Sequence, residues 1–146
     1  MINQDLLAWA RSYIGTSEVI GDVNNPIIME WARILGVTHY TNDDREWCGL
    51  AMAFFAHVCG AEKPSSFLLA RNWLSVGAPV LRPIPGDVVV FWRGAPDGFD
   101  GHVALYEGED AASIWTLGGN QIDSVRQYFY PRERVLGYRR LWRASP

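Results

Sequence analysis

The sequence has no long apolar run, only two cysteines and no excess of positive charge. No apolar run reaches the roughly 18–20 residues that a helix needs to cross a bilayer, so the sequence predicts no membrane span. The N-terminus, MINQDLLAWARSY, is polar and then amphipathic rather than basic and then apolar, which predicts synthesis in the cytoplasm without a signal peptide. Thirteen basic and sixteen acidic residues give a net charge of −3, and this balance disfavours nucleic acid as a partner.

The cysteine count excludes a disulfide framework and a cysteine-rich zinc site. Cys48 and Cys59 are the only two cysteines, and the three histidines are too scattered to complete a zinc site with them. At opposite ends of one predicted helix the two cysteines would lie about 16 Å apart, too far for a disulfide. Each is therefore expected to be a thiol.

The pattern of apolar residues divides the chain into a helical front half and a strand-rich back half. With 146 residues, 49% of them apolar, the chain suits one domain spanning 1–146. No helix-length segment separates the predicted strands, so the expected class is α+β with a four- to five-stranded antiparallel sheet. Helices are predicted over about 5–14, from Pro26 to Gly36, after Trp47 and over about 66–76, and strands over 87–92, 102–107, 113–117, 124–129 and 135–142.

Cys48 is the first candidate for chemistry. It lies at the start of a segment in which nearly every residue from 50 to 59 is apolar or small, a pattern typical of a helix buried on all sides. A thiolate at a helix N-terminus faces the positive end of the helix dipole, which lowers a cysteine pKa. Asp43 and Glu46 resemble a helix-start signature. The alternative for Cys48, as for Cys59, is a buried core thiol.

His102 is the candidate base for Cys48. It opens a predicted strand directly after Gly101, so a stiff element would hold its ring. His57 lies too far along the cysteine helix to reach back to its start, and His39 lies in the connection before it. An amide at the end of the next strand could orient the ring through its second nitrogen, and Asn120 and Gln121 are both candidates for that role.

Taken together and in order, the motifs resemble the CHAP branch of the papain-like cysteine amidohydrolases, and more closely a small group of CHAP-like proteins of bacteria and their phages. The resemblance covers nearly the whole chain. The motifs are Gly15-Thr16-Ser17-Glu18 with Gly21, Trp47-Cys48-Gly49, Ala70-Arg71-Asn72-Trp73 with Gly77, Pro85-Gly86-Asp87, Gly101-His102-Val103, Gly118-Gly119-Asn120-Gln121 and Val135-Leu136-Gly137-Tyr138-Arg139.

The resemblance implies a half-barrel packed on the cysteine helix and a hydrolase that cleaves an amide bond of peptidoglycan, as an N-acetylmuramoyl-L-alanine amidase or a stem-peptide endopeptidase. It assigns Cys48 as nucleophile, His102 as base and Asn120 as third member. Gln121 stands beside Asn120, and the expected oxyanion or substrate contacts are Asn42, Trp47 and Gln121. Four tryptophans are candidates to line a substrate groove, namely Trp47, Trp73, Trp92 and Trp115.

The resemblance also bears on cofactors, partners and location. Some CHAP relatives bind calcium through acidic residues before the cysteine, but Asp43, Asp44 and Glu46 lack the alternating pattern of a calcium loop, so no cofactor is expected. The chain is expected to be a monomer that acts in the periplasm or cell wall, as an endolysin after holin-type release or as an effector delivered by a secretion machine. An effector would have an immunity or inhibitor protein as partner.

Two other functions fit the same residues. A thiol acyltransferase or deamidase would activate its nucleophile in the same way, and a non-catalytic wall-binding module would keep the fold without turnover. Every catalytic version requires the sulfur of Cys48 and the imidazole of His102 to meet at a position that solvent can reach.

Overall fold

Three α-helices form the front of the chain in the part that the structure describes. The structure is a computed structural model that describes residues 2–17, 25–37 and 47–144. The helices are α1 (Asn3–Ser12), α2 (Pro26–Ile34) and α3 (Cys48–Val58). Helix α2 begins as predicted, because Oδ1 of Asn25 accepts a hydrogen bond from the backbone N–H of Ile27 at 2.8 Å and proline favours the first helical position. None of the helices in these ranges is long and apolar enough to span a membrane.

Helix α3 is the buried central helix that the sequence predicts. Every residue from Cys48 to Ala56 is buried, because the segment has no polar face to turn toward solvent. Trp47 occupies the N-cap position, and its side chain makes no capping hydrogen bond. The cap of this helix is therefore Trp47 rather than Asp43, and residues 43–46 lie outside the described residues.

The back half forms one six-stranded antiparallel sheet, which bears out the α+β class. The sheet order is β1-β6-β2-β3-β4-β5. The strand that the sequence analysis lacks is β1, which has three residues, includes Pro79 and lies at the edge of the sheet, where proline is tolerated. The strands are β1 (Ala78–Val80), β2 (Val88–Trp92), β3 (Gly101–Glu109), β4 (Ser113–Gln121), β5 (Ser124–Pro131) and β6 (Val135–Arg140).

Two short 3₁₀ helices complete the regular structure of the described residues. The first, Ala70–Ser75, replaces the longer helix expected over 66–76, and the second, Arg132–Arg134, connects β5 to β6. The first of them packs beside β3, because a Cβ on Gly101 would lie 3.5 Å from the Cβ of Ala70. It therefore covers the start of the strand that carries His102.

The two faces of the sheet bury different clusters. Val88 and Val90 of β2, like Val103 and Leu105 of β3, pack in the core beside the helices. The residues between them face the other side, because side chains alternate along a strand, and there Val89, Phe91, Tyr106 and Ile114 form a second cluster. His102 is paired with Phe91 across β2 and β3 and shares this second face.

A buried carboxylate connects the first helix to the last strand. The side chain of Asp87 is fully buried, and Arg140 of β6 donates to both of its oxygens at 2.8 Å. Asn3 of α1 donates to Oδ1 of Asp87 at 2.9 Å, and the backbone N–H of Ile84 donates to Oδ2 at 2.8 Å. Since each carboxylate oxygen has two donors, the negative charge is compensated in the interior.

Candidate active site

Cys48 begins α3, as the sequence predicts. It is the first residue of the helix, where backbone N–H groups have no partner within the helix and the dipole favours negative charge. Cys48 and Cys59 are both free thiols. Cys59 lies just beyond the other end of the helix, where burial raises the pKa of its thiol. Only Cys48 thus occupies the position that favours a thiolate.

Strand β4 runs directly against the N-terminus of α3. A Cβ atom on Gly119 would lie 2.6 Å from the Cβ of Ala51 and 2.8 Å from the indole ring of Trp47, closer than real side chains approach. Glycine is therefore required where the end of β4 passes the first turn of the helix. This contact places Gly119 of β4 against the first turn of α3, the turn that begins at Cys48.

The imidazole of His102 is enclosed and hydrogen-bonded at both nitrogens. Nε2 lies 2.8 Å from Oε1 of Gln121 and 3.2 Å from the hydroxyl of Tyr130. Nδ1 lies 3.2 Å from Nη2 of Arg93. Phe91 and Tyr130 pack against the ring, with centroids 6.4 Å and 4.9 Å away.

These partners define one tautomer. A guanidinium only donates hydrogen bonds, so Nδ1 accepts from Arg93 and the ring proton resides on Nε2, which donates to Gln121. Burial first, and then the charge of Arg93, lowers the pKa of His102 from 6.5 to about 3, against the opposing hydrogen bond with Gln121. The resting ring is therefore a neutral base whose one basic lone pair, on Nδ1, accepts a hydrogen bond from Arg93.

Gln121, rather than Asn120, contacts the imidazole. Strand alternation from Thr116 would place Asn120 on the face of His102, but the pairing of β4 with β5 shifts between Gly118 and Gln121, and Asn120 has a φ of 56°. This bulge exchanges the two positions, because one irregular residue turns the following side chain to the other face. Of the two amides predicted for the ring, Gln121 makes the contact.

Tyr130 and Arg93 border the site, and the sequence analysis missed both. Burial raises the pKa of the Tyr130 phenol, the Arg93 guanidinium opposes that rise, and the Cys48 thiol adds to it. The sulfur of Cys48 is therefore within electrostatic range of the hydroxyl that contacts His102. A sequence signal existed for Arg93, because pairing β2 with β3 places residue 93 beside the start of β3. Tyr130 lies 28 residues beyond His102 on β5, which is two strands from β3 in the sheet, so the sequence carries no signal for this contact.

Cys48 and His102 are both almost completely buried. Their relative exposures are 2% and 1%. The expectation that the pair occupies a solvent-reachable position is therefore not met, because Phe91 and Tyr130 pack against the ring of His102 and Cys48 belongs to the core cluster beside the helices. Any chemistry at Cys48 requires an opening of this packing.

Some of the remaining sequence candidates are buried, Trp92 is half-buried, Trp115 is exposed, and the others lie outside the described residues. Trp47 and Trp73 are fully buried core residues, so neither lines a groove, whereas Trp115 is 49% exposed. Residues 38–46 lie outside the described residues, and with them His39, Asn42, Asp43, Asp44 and Glu46. Within the described ranges no group of three His, Cys, Asp or Glu side chains is placed to hold a metal ion.

No protein-family model matches the sequence, and no curated protein matches it. The functional argument therefore depends on the residues around Cys48 and His102.

Proposed function

We propose that the protein is a cysteine hydrolase that cleaves an amide bond of peptidoglycan, with Cys48 as nucleophile and His102 as base. One observation carries the proposal: Nε2 of the His102 imidazole lies 2.8 Å from Oε1 of Gln121 and 3.2 Å from the hydroxyl of Tyr130, and the charge of Cys48 at the start of α3 acts to raise the pKa of that same phenol. A base oriented by a third group, beside a nucleophile at a helix N-terminus, is the arrangement that thiol catalysis needs.

The proposed reaction has two halves. Nδ1 of His102 takes the proton of the Cys48 thiol, and the thiolate attacks the carbonyl carbon of the scissile amide. The backbone N–H of Cys48, at the helix N-terminus, stabilises the tetrahedral oxyanion. His102 then gives its proton to the leaving amine, and water hydrolyses the thioester to release the carboxylate product and restore the thiol.

The substrate class follows from the resemblance to CHAP amidohydrolases. An α+β chain whose sheet packs on a helix that begins at the cysteine supports that resemblance, and the order Cys48, His102 and then an amide agrees with it. The fitting biological roles are a phage endolysin and a bacterial wall-lytic effector, both acting in the periplasm or cell wall.

Digestion of purified peptidoglycan tests the proposal. The wild-type protein is expected to release new amino groups, and mass spectrometry of the fragments identifies the bond that is cut. Cys48→Ala and His102→Ala are expected to lower the rate at least 1,000-fold, whereas Cys59→Ala, the matched control just beyond the far end of α3, retains it. Intact peptidoglycan after treatment with folded wild-type protein would overturn the proposal, and Cys48-dependent acyl transfer to another acceptor would assign the site to a transferase.

The burial of Cys48 and His102 favours a second candidate, a wall-binding module without turnover. Iodoacetamide separates the two, because a working nucleophile must become accessible. A catalytic Cys48 is expected to be alkylated in the folded Cys59→Ala protein much faster than global unfolding allows. Labelling of Cys48 only at the unfolding rate, together with peptidoglycan binding unaffected by Cys48→Ala, would assign the binding function.

A further inference from the structure

The guanidinium of Arg93 occupies the one nitrogen of His102 that can accept a proton. Nη2 of Arg93 lies 3.2 Å from Nδ1, while the proton on Nε2 is committed to Gln121. The amide of Gln121 cannot reverse its orientation, because its own Nε2 donates to the backbone carbonyl of Arg126 at 2.6 Å. The imidazole of His102 is therefore held between Oε1 of Gln121, whose orientation is fixed, and the guanidinium of Arg93, which can only donate.

We propose that Arg93 is a positioning residue that holds His102 as the neutral Nε2–H tautomer, so that Cys48 and His102 rest as an uncharged thiol and imidazole rather than as an ion pair. The proposal rests on the function proposed above and adds a resting state to it. A proton arriving at Nδ1 would face the N–H of Arg93, since two donors cannot share a hydrogen bond. Arg93 must therefore leave Nδ1 when His102 takes the proton of the thiol.

The charged and titratable groups around His102 support this resting state. Arg93, which follows β2, and Tyr130 of β5 both contact the ring, and Gln121 of β4, which also contacts it, is uncharged. Cys48 at the start of α3 acts electrostatically on Tyr130. From the 3₁₀ helix, Arg71 packs against Gly101 and donates from Nε to the backbone carbonyl of Asp100 at 2.9 Å. Asp100, which directly precedes β3, carries a carboxylate but is exposed. Among the described residues no carboxylate contacts the ring of His102. The surroundings thus oppose a positive charge on the imidazole.

Three variants separate the roles of charge, donor and bulk. Arg93→Met removes the charge and the donor while keeping an extended apolar side chain, and Arg93→Lys keeps the charge without the planar donor group. Arg126→Met is the matched control, because Arg126 is exposed on β5 and contributes only its backbone carbonyl to Gln121. All three leave Cys48 and Gln121 in place.

Nitrogen NMR of ¹⁵N-histidine-labelled full-length protein tests the proposal directly. In the wild type, His102 is expected to show an unprotonated Nδ1 and a protonated Nε2 and to remain neutral from pH 5 to 8. Arg93→Met is expected to raise the titration midpoint of His102 by at least one pH unit, a tenfold change in its protonation equilibrium. Arg93→Lys is expected to give a smaller rise, and Arg126→Met none.

Several results would overturn the proposal. They are a wild-type His102 that titrates near pH 6.5, a proton on Nδ1, and a midpoint that Arg93→Met leaves unchanged. If Arg93→Met does not fold, the tautomer in the wild type and the midpoint in Arg93→Lys still decide the outcome. These measurements need no turnover, so a protein that leaves peptidoglycan intact but shows the expected titration would sink the hydrolase proposal while retaining the role of Arg93.

The pH dependence of Cys48 alkylation in the Cys59→Ala protein gives an independent readout. An uncharged resting pair predicts a rate that rises in a single step as the thiol ionises. A resting thiolate–imidazolium pair would instead keep the rate high down to acidic pH, and that profile in the wild type would contradict the proposal.

Discussion

Nε2 of His102 lies 2.8 Å from Oε1 of Gln121, and this contact connects the second residue of β3 to the last residue of β4. The same Oε1 lies 2.9 Å from the hydroxyl of Thr116, which also lies 3.0 Å from the carbonyl oxygen of Tyr128. Because the hydroxyl has a single proton, it is shared between these two acceptors. The orientation of the ring thus depends on a network across three adjacent strands.

Replacing Gln121 by Ala is expected to lower the activity about 10- to 100-fold, because the ring loses the acceptor of its Nε2 proton and a buried donor is left without a partner. Asn120→Ala is the matched control at the neighbouring position and is expected to change the rate less than threefold. Steady-state rates on peptidoglycan, normalised to folded protein by circular dichroism, check the difference. Equal losses in the two variants would contradict the assignment of Gln121.

The contrast between Asn120 and Gln121 shows where the sequence pattern is informative. The nearly unbroken run of apolar and small residues from 50 to 59 identifies α3, and the length and flanking residues of the apolar runs identify five of the six strands. The pattern places Cys48 at the helix start and His102 at the strand start. It cannot resolve a one-residue bulge, because Asn120 and Gln121 are both polar and both follow Gly-Gly, and a single left-handed residue decides which of them faces the ring.

The sequence does not predict the three-residue strand β1 or the contacts of Arg93 and Tyr130 with the imidazole, and the reasons differ from the bulge at Asn120. A run of three residues that includes Pro79 carries no periodicity that distinguishes a strand from a loop. Arg93 reaches His102 through the pairing of β2 with β3, and Tyr130 reaches it from β5, two strands away in the sheet. Their positions along the chain alone do not reveal those contacts.

Because of His102, the free energy of unfolding is expected to decrease as the pH is lowered. The pKa of this residue is lowered from 6.5 to about 3 in the folded state, so between these values the unfolded chain binds a proton that the folded chain does not. The free energy of unfolding therefore decreases as the pH falls from 6.5 toward 3, by at most about 1.4 kcal/mol per pH unit from this residue. Urea unfolding at a series of pH values measures the slope.

Replacing His102 isolates its contribution to the pH dependence of the free energy of unfolding. His102→Gln is expected to flatten the slope between pH 6.5 and 4, whatever its effect on stability at neutral pH. His57→Gln, at an exposed position of α3, controls for the loss of a histidine elsewhere. An unchanged slope in His102→Gln would show that the buried imidazole is not the group responsible.

Gly119→Ala is expected to destabilise the protein by about 2–3 kcal/mol, because the added methyl group would overlap Ala51 and the ring of Trp47. Gly108→Ala, also on an antiparallel strand, would place its methyl group at an ordinary distance of 3.4 Å from the ring of Trp115 and is expected to cost less than about 1 kcal/mol. Thermal and urea unfolding of the two variants provide the comparison. A Gly119→Ala protein as stable as Gly108→Ala would refute the close approach of β4 to α3.

Asp87→Asn is expected to destabilise the protein by about 3 kcal/mol. The change removes the charge that compensates Arg140, whose side chain is 31% exposed while that of Asp87 is fully buried, and it leaves an amide N–H facing two donors. Asp5→Asn disrupts the exposed pair between Asp5 and Arg143 and is expected to cost less than about 1 kcal/mol. Equal unfolding midpoints in urea for the two variants would contradict the structural role of Asp87.

The position of β6 has a consequence for synthesis of the chain. Although it is the last strand, β6 lies inside the sheet between β1 and β2, so these two strands have no partner on that side until residues 135–140 leave the ribosome. A nascent chain that stops at Arg134 exposes two strands with unpaired N–H and C=O groups, the kind of edge that recruits other chains. Truncation before β6 is therefore a route to aggregation, and the sheet is complete only after Arg140 has been synthesised.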